Sequence, residues 1–143
     1  MQTLLSDQAA RIVGLALEKG RELDCKPLTV AVLDAGGHLL AFQREDGSGI
    51  LRPQIAQAKA WGVLGMGHGG RALAQRAAAA PNFFVALSDI SEGRIAPVQG
   101  GVIIRNAAGQ VIGAVGISGD APDRDEACAV HAIVAIGLRA EVD

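Results

Sequence analysis

Twice along this chain an apolar, β-branched run meets a short glycine-bearing turn and comes straight back. The first is LTVAVLDAGGHLLAFQ, where Val30 and Val32 lead into Asp34-Ala35-Gly36-Gly37 and residues 38–43 return as a second strand. The second is GGVIIRNAAGQVIGAVGIS, with strands predicted over 102–105 and 111–118 and a turn over 106–109. Strands joined this tightly run antiparallel, because parallel neighbours need a crossover of about a dozen residues or more.

Helical patterns surround the two hairpins. Ala9, Ile12, Val13, Ala16, Leu17 and Leu23 recur at helical spacing over 6–23, and Ser6 or Asp7 could cap the start. PQIAQAKAWGVLGM reads as helix from Pro53, and RALAQRAAAA as another up to Pro81. NFFVALSDISEG fits either a short helix or a strand. ACAVHAIVAIGL is apolar almost all round, which predicts a buried terminal helix, with Asp123 and Glu126 as a D-x-x-E cap. The order helix, hairpin, helices, hairpin, helix predicts an α+β fold: one antiparallel sheet of four to five strands with flanking helices, in a single domain over 1–143.

Composition excludes several functions. With three Phe, one Trp, no Tyr and a net charge of -2, the chain lacks both the stacking platforms and the basic surface of a nucleic-acid binder. No apolar run reaches the roughly 18 residues of a membrane span, and no leader peptide is visible, so a cytosolic protein is expected. Cys25 and Cys128 form no C-x-x-C and are expected as reduced thiols.

Gly65, Gly67 and Gly70 spell G-x-G-x-x-G, the outline of a dinucleotide fingerprint, and Asp89 lies about twenty residues on. The upstream segment reads as helix, however, and the chain beyond Asp89 reads as a hairpin and a helix. No parallel βαβ sheet can be completed, so NAD is not expected, and the glycines are read as a break between helices.

The residues with chemistry are scattered. His38 opens the second strand of the first hairpin, His68 lies in the glycine break, and His131 interrupts the terminal apolar helix. Each is a candidate ligand to a metal or haem iron, against the plainer reading of an ordinary surface or core histidine. Arg44, Asp46 and Arg52 gather charge beside the first hairpin, and Lys59 is a lone cation on a mostly apolar helix. A cation at a pocket rim is what a ligand carboxylate needs. His38, Arg44, Arg52, Lys59 and His68 are therefore the candidate ligand contacts, and Lys59, Asp46 and His131 the candidate catalytic groups. Ser118 is not in a G-x-S-x-G elbow.

V-x-D-x-x-G-x-L in the first hairpin, A-x-x-K-A around Lys59, and G-x-x-G-x-S-G-x-x-x-x-x-D-E from Gly113 to Glu126 together resemble the GlcG/HbpS-like family of haem-binding or haem-degrading-type proteins. The same domain ends the PduO-type cobalamin adenosyltransferases. The resemblance implies a profilin-like sheet with flanking helices, usually in a homo-oligomer. It also implies a small-molecule binding protein whose ligand is haem or a related planar, carboxylated molecule. That ligand would sit between the sheet and the helix from Pro53 to Met66. Two alternatives stand beside it. One is a catabolic isomerase, tautomerase or lyase, in which Lys59 and Arg44 hold a small oxo- or hydroxy-acid while Asp46, His68 or His131 moves a proton. The other is a structural accessory subunit.

Overall fold

The structure is a computed structural model and describes residues 3–143. Helix α1 (Ser6–Glu22) precedes the hairpin of β1 (Thr29–Asp34) and β2 (Leu39–Arg44). Helices α2 (Arg52–Met66), α3 (Gly70–Ala79) and α4 (Pro81–Ile90) come next. The second hairpin, β3 (Gly101–Arg105) and β4 (Val111–Ser118), leads to α5 (Pro122–Ala135) and a short β5 (Arg139–Glu141). All pairings are antiparallel and the strand order is β2-β1-β4-β3-β5. The α+β fold and five-stranded sheet agree with the sequence reading.

The strands β1, β4 and β3 are covered on both faces, β2 is largely exposed, and the period of two in the strands sorts the side chains. Val30, Val32, Val102, Ile104, Val115 and Ile117 pack with α1 and α5, while Leu33, Ile103 and Ala114 pack with α2 and α3. Helix α2 lies almost on the sheet backbone. A Cβ on Gly116 would collide with the carbonyl oxygen of Ala56, and one on Gly101 with that of Lys59. Glycine in these strands therefore permits a helix–sheet approach that any side chain would prevent.

Several local expectations change. Segment 81–90, open between helix and strand in the sequence, is a helix with Pro81 in its first turn. Helix α1 starts after Leu5, whose N–H donates to Gln8 Oε1 at 2.9 Å, so neither Ser6 nor Asp7 is the cap. In α5 the cap position is Ala121 and Pro122 opens the helix. Asp123 and Glu126 form no capping box, because both stand inside the helix. That helix is also not buried all round: Cys128, Ala129, Ala132 and Ile133 face the core, while His131 and Val134 are exposed. Strand β5, too short and too polar to show in the pattern, pairs with β3.

The glycine motif ends one helix and begins another. Gly65 is in the last turn of α2, Gly67 is its left-handed cap (φ 73°), and Gly70 is the first residue of α3. Cys25 and Cys128 are buried free thiols. Burial, the neighbouring Cys25 and the charge of Asp125 push the Cys128 thiol up to about 12. No helix among the described residues is long and apolar enough to cross a membrane.

Candidate functional site

The charged candidates do not converge. Lys59 points into the protein rather than to a pocket rim, because the face of α2 that carries it lies on the sheet. Its side chain is 4% exposed, its Nζ donates to Ile117 O at 2.8 Å, and it pairs at 3.3 Å with Asp125, itself 1% exposed. Burial pushes the Lys59 ammonium below its ordinary range, with Asp125 opposing, and pushes the Asp125 carboxyl up, with Lys59 opposing. Asp125 Oδ1 also accepts from the Asp120 N–H at 3.0 Å. Arg52, at the start of α2, donates to Ser118 Oγ at 3.0 Å. Over β3 and β4 the backbone of α2 lies too close to the sheet at Gly101 and Gly116 for a ligand to enter.

Arg44 ends β2, and with Asp46 it lines a shallow polar depression beside Arg21, Pro27 and Glu45. His38 precedes the other end of that strand. Six residues at about 3.3 Å each separate the two by roughly 20 Å, too far to share one small ligand. His68 is half-buried between α2 and α3. His131 borders a wide depression with Arg71, Gln99 and Glu126, where Arg71 and Gln99 both donate to the Glu126 carboxylate.

His38 stands apart from the other two histidines. The β1–β2 turn is built on Asp34, whose Oδ1 accepts from the backbone N–H groups of Gly36 (2.9 Å) and His38 (3.0 Å). The same oxygen holds His38 Nδ1 at 3.0 Å. Burial pushes the Asp34 carboxyl up, but the hydrogen bonds and the charge of His38, with the Gly36 N–H, outweigh it and hold it below the ordinary value. The His38 side chain is 80% exposed. With Nδ1 donating to a carboxylate, the lone pair of a neutral ring sits on Nε2, facing solvent.

On either side of His38 in the chain, Gly37 and Leu39 line a cleft of about 440 Å³. Leu33, Gln54, Gln57, Ala58, Trp61, Glu92, Gly93 and Arg94 complete it. Its size falls in the usual range for small-molecule sites. The outward face of α2 supplies one wall and the turn a second. The third comes from the exit of α4, where Glu92 (φ 57°) and Gly93 (φ 76°) are both left-handed and turn the chain back. Ile95 then packs against α2 at Gly62, and the Ala96 N–H donates to Ala58 O at 3.3 Å. This return sets the Arg94 guanidinium 4.2 Å from the centre of the Trp61 ring. Gly37 has φ 83°, and a Cβ there would lie 3.1 Å from Trp61 Nε1, so the turn seats the edge of the indole.

Sequence reasoning singled out neither Trp61 nor Arg94 as a contact. The available signal was Trp61 as the sole tryptophan of an aromatic-poor chain. Nothing in the sequence places Arg94 beside it. Among the described residues, no group of three or more His, Cys, Asp or Glu side chains is placed to hold a metal ion.

The fold has close counterparts among solved structures. A complex of PduOC with haem matches with a TM-score of 0.85 at 25% identity, over 96% of this chain and 97% of that one. An HbpS double mutant from Streptomyces reticuli matches with a TM-score of 0.82 at 27% identity, over 96% and 89%. The protein ORFY of Klebsiella pneumoniae matches with a TM-score of 0.84 at 26% identity, over 94% and 90%. No curated protein matches the chain significantly. A family model described as haem degrading protein, HbpS-like, matches residues 4–134, and with that match over nearly its whole length the chain belongs to the HbpS-like family.

Proposed function

We propose that this chain binds haem, or a related flat ligand carrying carboxylates, at the lip of the cleft beside His38. The observation that carries the reading is the Asp34–His38 pair: an exposed imidazole, fixed through Nδ1, with Nε2 free and cleft-lining residues on both sides. Neutral imidazole held by a carboxylate is a suitable axial ligand for haem iron. Arg94 would hold a propionate, and Leu39 and Trp61 would meet the apolar edge. Family membership and the haem-bound PduOC relative support the same ligand class.

The test is a haemin titration followed through the Soret band. The expected result is a saturable, shifted band that His38→Ala abolishes and that His68→Ala and His131→Ala leave unchanged. A shifted band that survives His38→Ala would remove His38 as the iron ligand. No shift in the unmodified chain would remove haem.

The enzyme alternative loses the constellation it was built on, since Lys59 is sealed inside and Arg44 and Asp46 lie at the far end of β2. Self-assembly has an observation of its own. Helix α4 buries none of its residues, although Phe83, Val85 and Ile90 are 54%, 66% and 75% exposed. A second copy of the chain covers this helix in the proposed homo-oligomer. Phe83→Ser combined with Ile90→Ser is expected to lower the mass measured by light scattering, and an unchanged mass would exclude α4 from the contact.

A further inference from the structure

Arg94 differs from four other arginines of the chain in how its charge is met. Arg21, Arg71, Arg105 and Arg124 each pair with a carboxylate. Arg94 pairs with none among the described residues: its Nε donates to Ser91 O at 2.9 Å, and its plane rests against Trp61. These two contacts fix the guanidinium and leave the Nη1 and Nη2 edge without a partner among the described residues. That edge is the fork that binds a carboxylate through two parallel hydrogen bonds. Beside it lie an indole face, Leu33, Leu39 and Ala58, and the carboxamides of Gln54 and Gln57.

We infer that this cleft is a site for a small, flat organic acid. The free edge of Arg94 takes the carboxylate, and the conjugated body of the acid lies against Trp61 and the two leucines. The Gln54 and Gln57 carboxamides face a polar substituent on the ring. Glu92, the one acidic residue of the lining, sets the limit: a second carboxylate directed at it is repelled, so a monocarboxylate is preferred over a dicarboxylate. The inference rests on reading this cleft as a ligand site, and it narrows that reading to an acid whose binding requires no iron.

Trp61 is the sole tryptophan, so its emission reports on this cleft alone. The chain without haem is titrated with benzoate, and with benzamide and cyclohexanecarboxylate as probes lacking the charge and the flat ring. Benzoate is expected to change the emission saturably. Benzamide is expected to bind at least about tenfold more weakly, because the fork then faces no anion. Arg94→Gln is expected to cut benzoate affinity by a similar factor, and Arg94→Lys to restore only part of it. Arg94 is exposed, and far-UV circular dichroism of both variants checks that they fold. Absence of a saturable benzoate response, equal binding of benzamide, or full affinity in Arg94→Gln would each overturn the inference. If benzoate fails while the His38-dependent Soret shift persists, the acid site falls and the haem reading stands. If benzoate binds and haemin does not, the reverse holds.

Discussion

Replacing Lys59 with alanine leaves a buried carboxylate without its counter-ion. In the folded chain the ammonium and the Asp125 carboxylate are 3.3 Å apart, at 4% and 1% exposure, and the same Nζ also satisfies Ile117 O. Water does not reach either group freely, so the loss is not screened as it would be at the surface. Removing one partner of such a pair costs about 3–5 kcal/mol. With a urea dependence of about 2 kcal/mol per molar for a chain of this size, the unfolding midpoint should fall by roughly 1.5–2.5 M. Asp125→Asn should cost less than Lys59→Ala, since the amide oxygen can still accept from the Asp120 N–H. The double change Lys59→Met with Asp125→Leu removes both charges at similar volume and should recover most of the loss, because both desolvation costs disappear together. Urea unfolding of the double change beside Lys59→Met alone, Asp125→Leu alone and the unmodified chain measures the coupling directly. A Lys59→Ala loss under about 1 kcal/mol, the size of a surface pair, would refute the reasoning. So would a double change that costs the sum of the singles.

Three further outcomes are expected. Gly116→Ala drives a methyl group into the Ala56 carbonyl and should destabilise by about 1–3 kcal/mol or more, read as a lowered thermal midpoint. Gly37→Ala must hold φ 83° at a cost of about 1–2 kcal/mol and also crowds the indole, so Trp61 emission should shift along with the stability. The third concerns pH. The N–H groups of Lys26 and Ala121 hold the Asp120 carboxyl below its ordinary 3.8, more strongly than its slight burial raises it. A lowered folded value means that the unfolded chain binds the proton first. Asp120 therefore stabilises fully above about pH 3.8, and that contribution is lost as the pH falls through the lower folded value. The cost of Asp120→Asn should accordingly be largest near neutrality and vanish in strong acid, as measured by urea unfolding at a series of pH values.

The hairpins, the antiparallel sense of the sheet and most helix positions are legible in the sequence because they rest on local chemistry. Asp34 to Gly37 and Asn106 to Gly109 can hardly do anything but turn, and the β-branched runs beside them alternate between two covered faces. The glycines of 65–70 are legible as a break for the same reason. The family motif around Lys59 is legible too, but its role is not. A-x-x-K-A looks like a lone cation awaiting an anion, and the anion is Asp125, from the D-E pair that closes the third family motif.

What the sequence determined by itself is the set of elements and their pairing by short turns, since those depend on interactions between residues a few positions apart. What only the tertiary structure decided is which way each polar side chain faces. Helix α2 has small or apolar residues on every side, so its periodicity cannot say which face meets the sheet. The glycines of β3 and β4 decide that by admitting the helix backbone. They turn Lys59 inward to Asp125 and leave Gln54, Gln57 and Trp61 on the outer face. Arg94 reaches Trp61 only because two left-handed residues reverse the chain after α4, a contact between segments about thirty residues apart that no local pattern records.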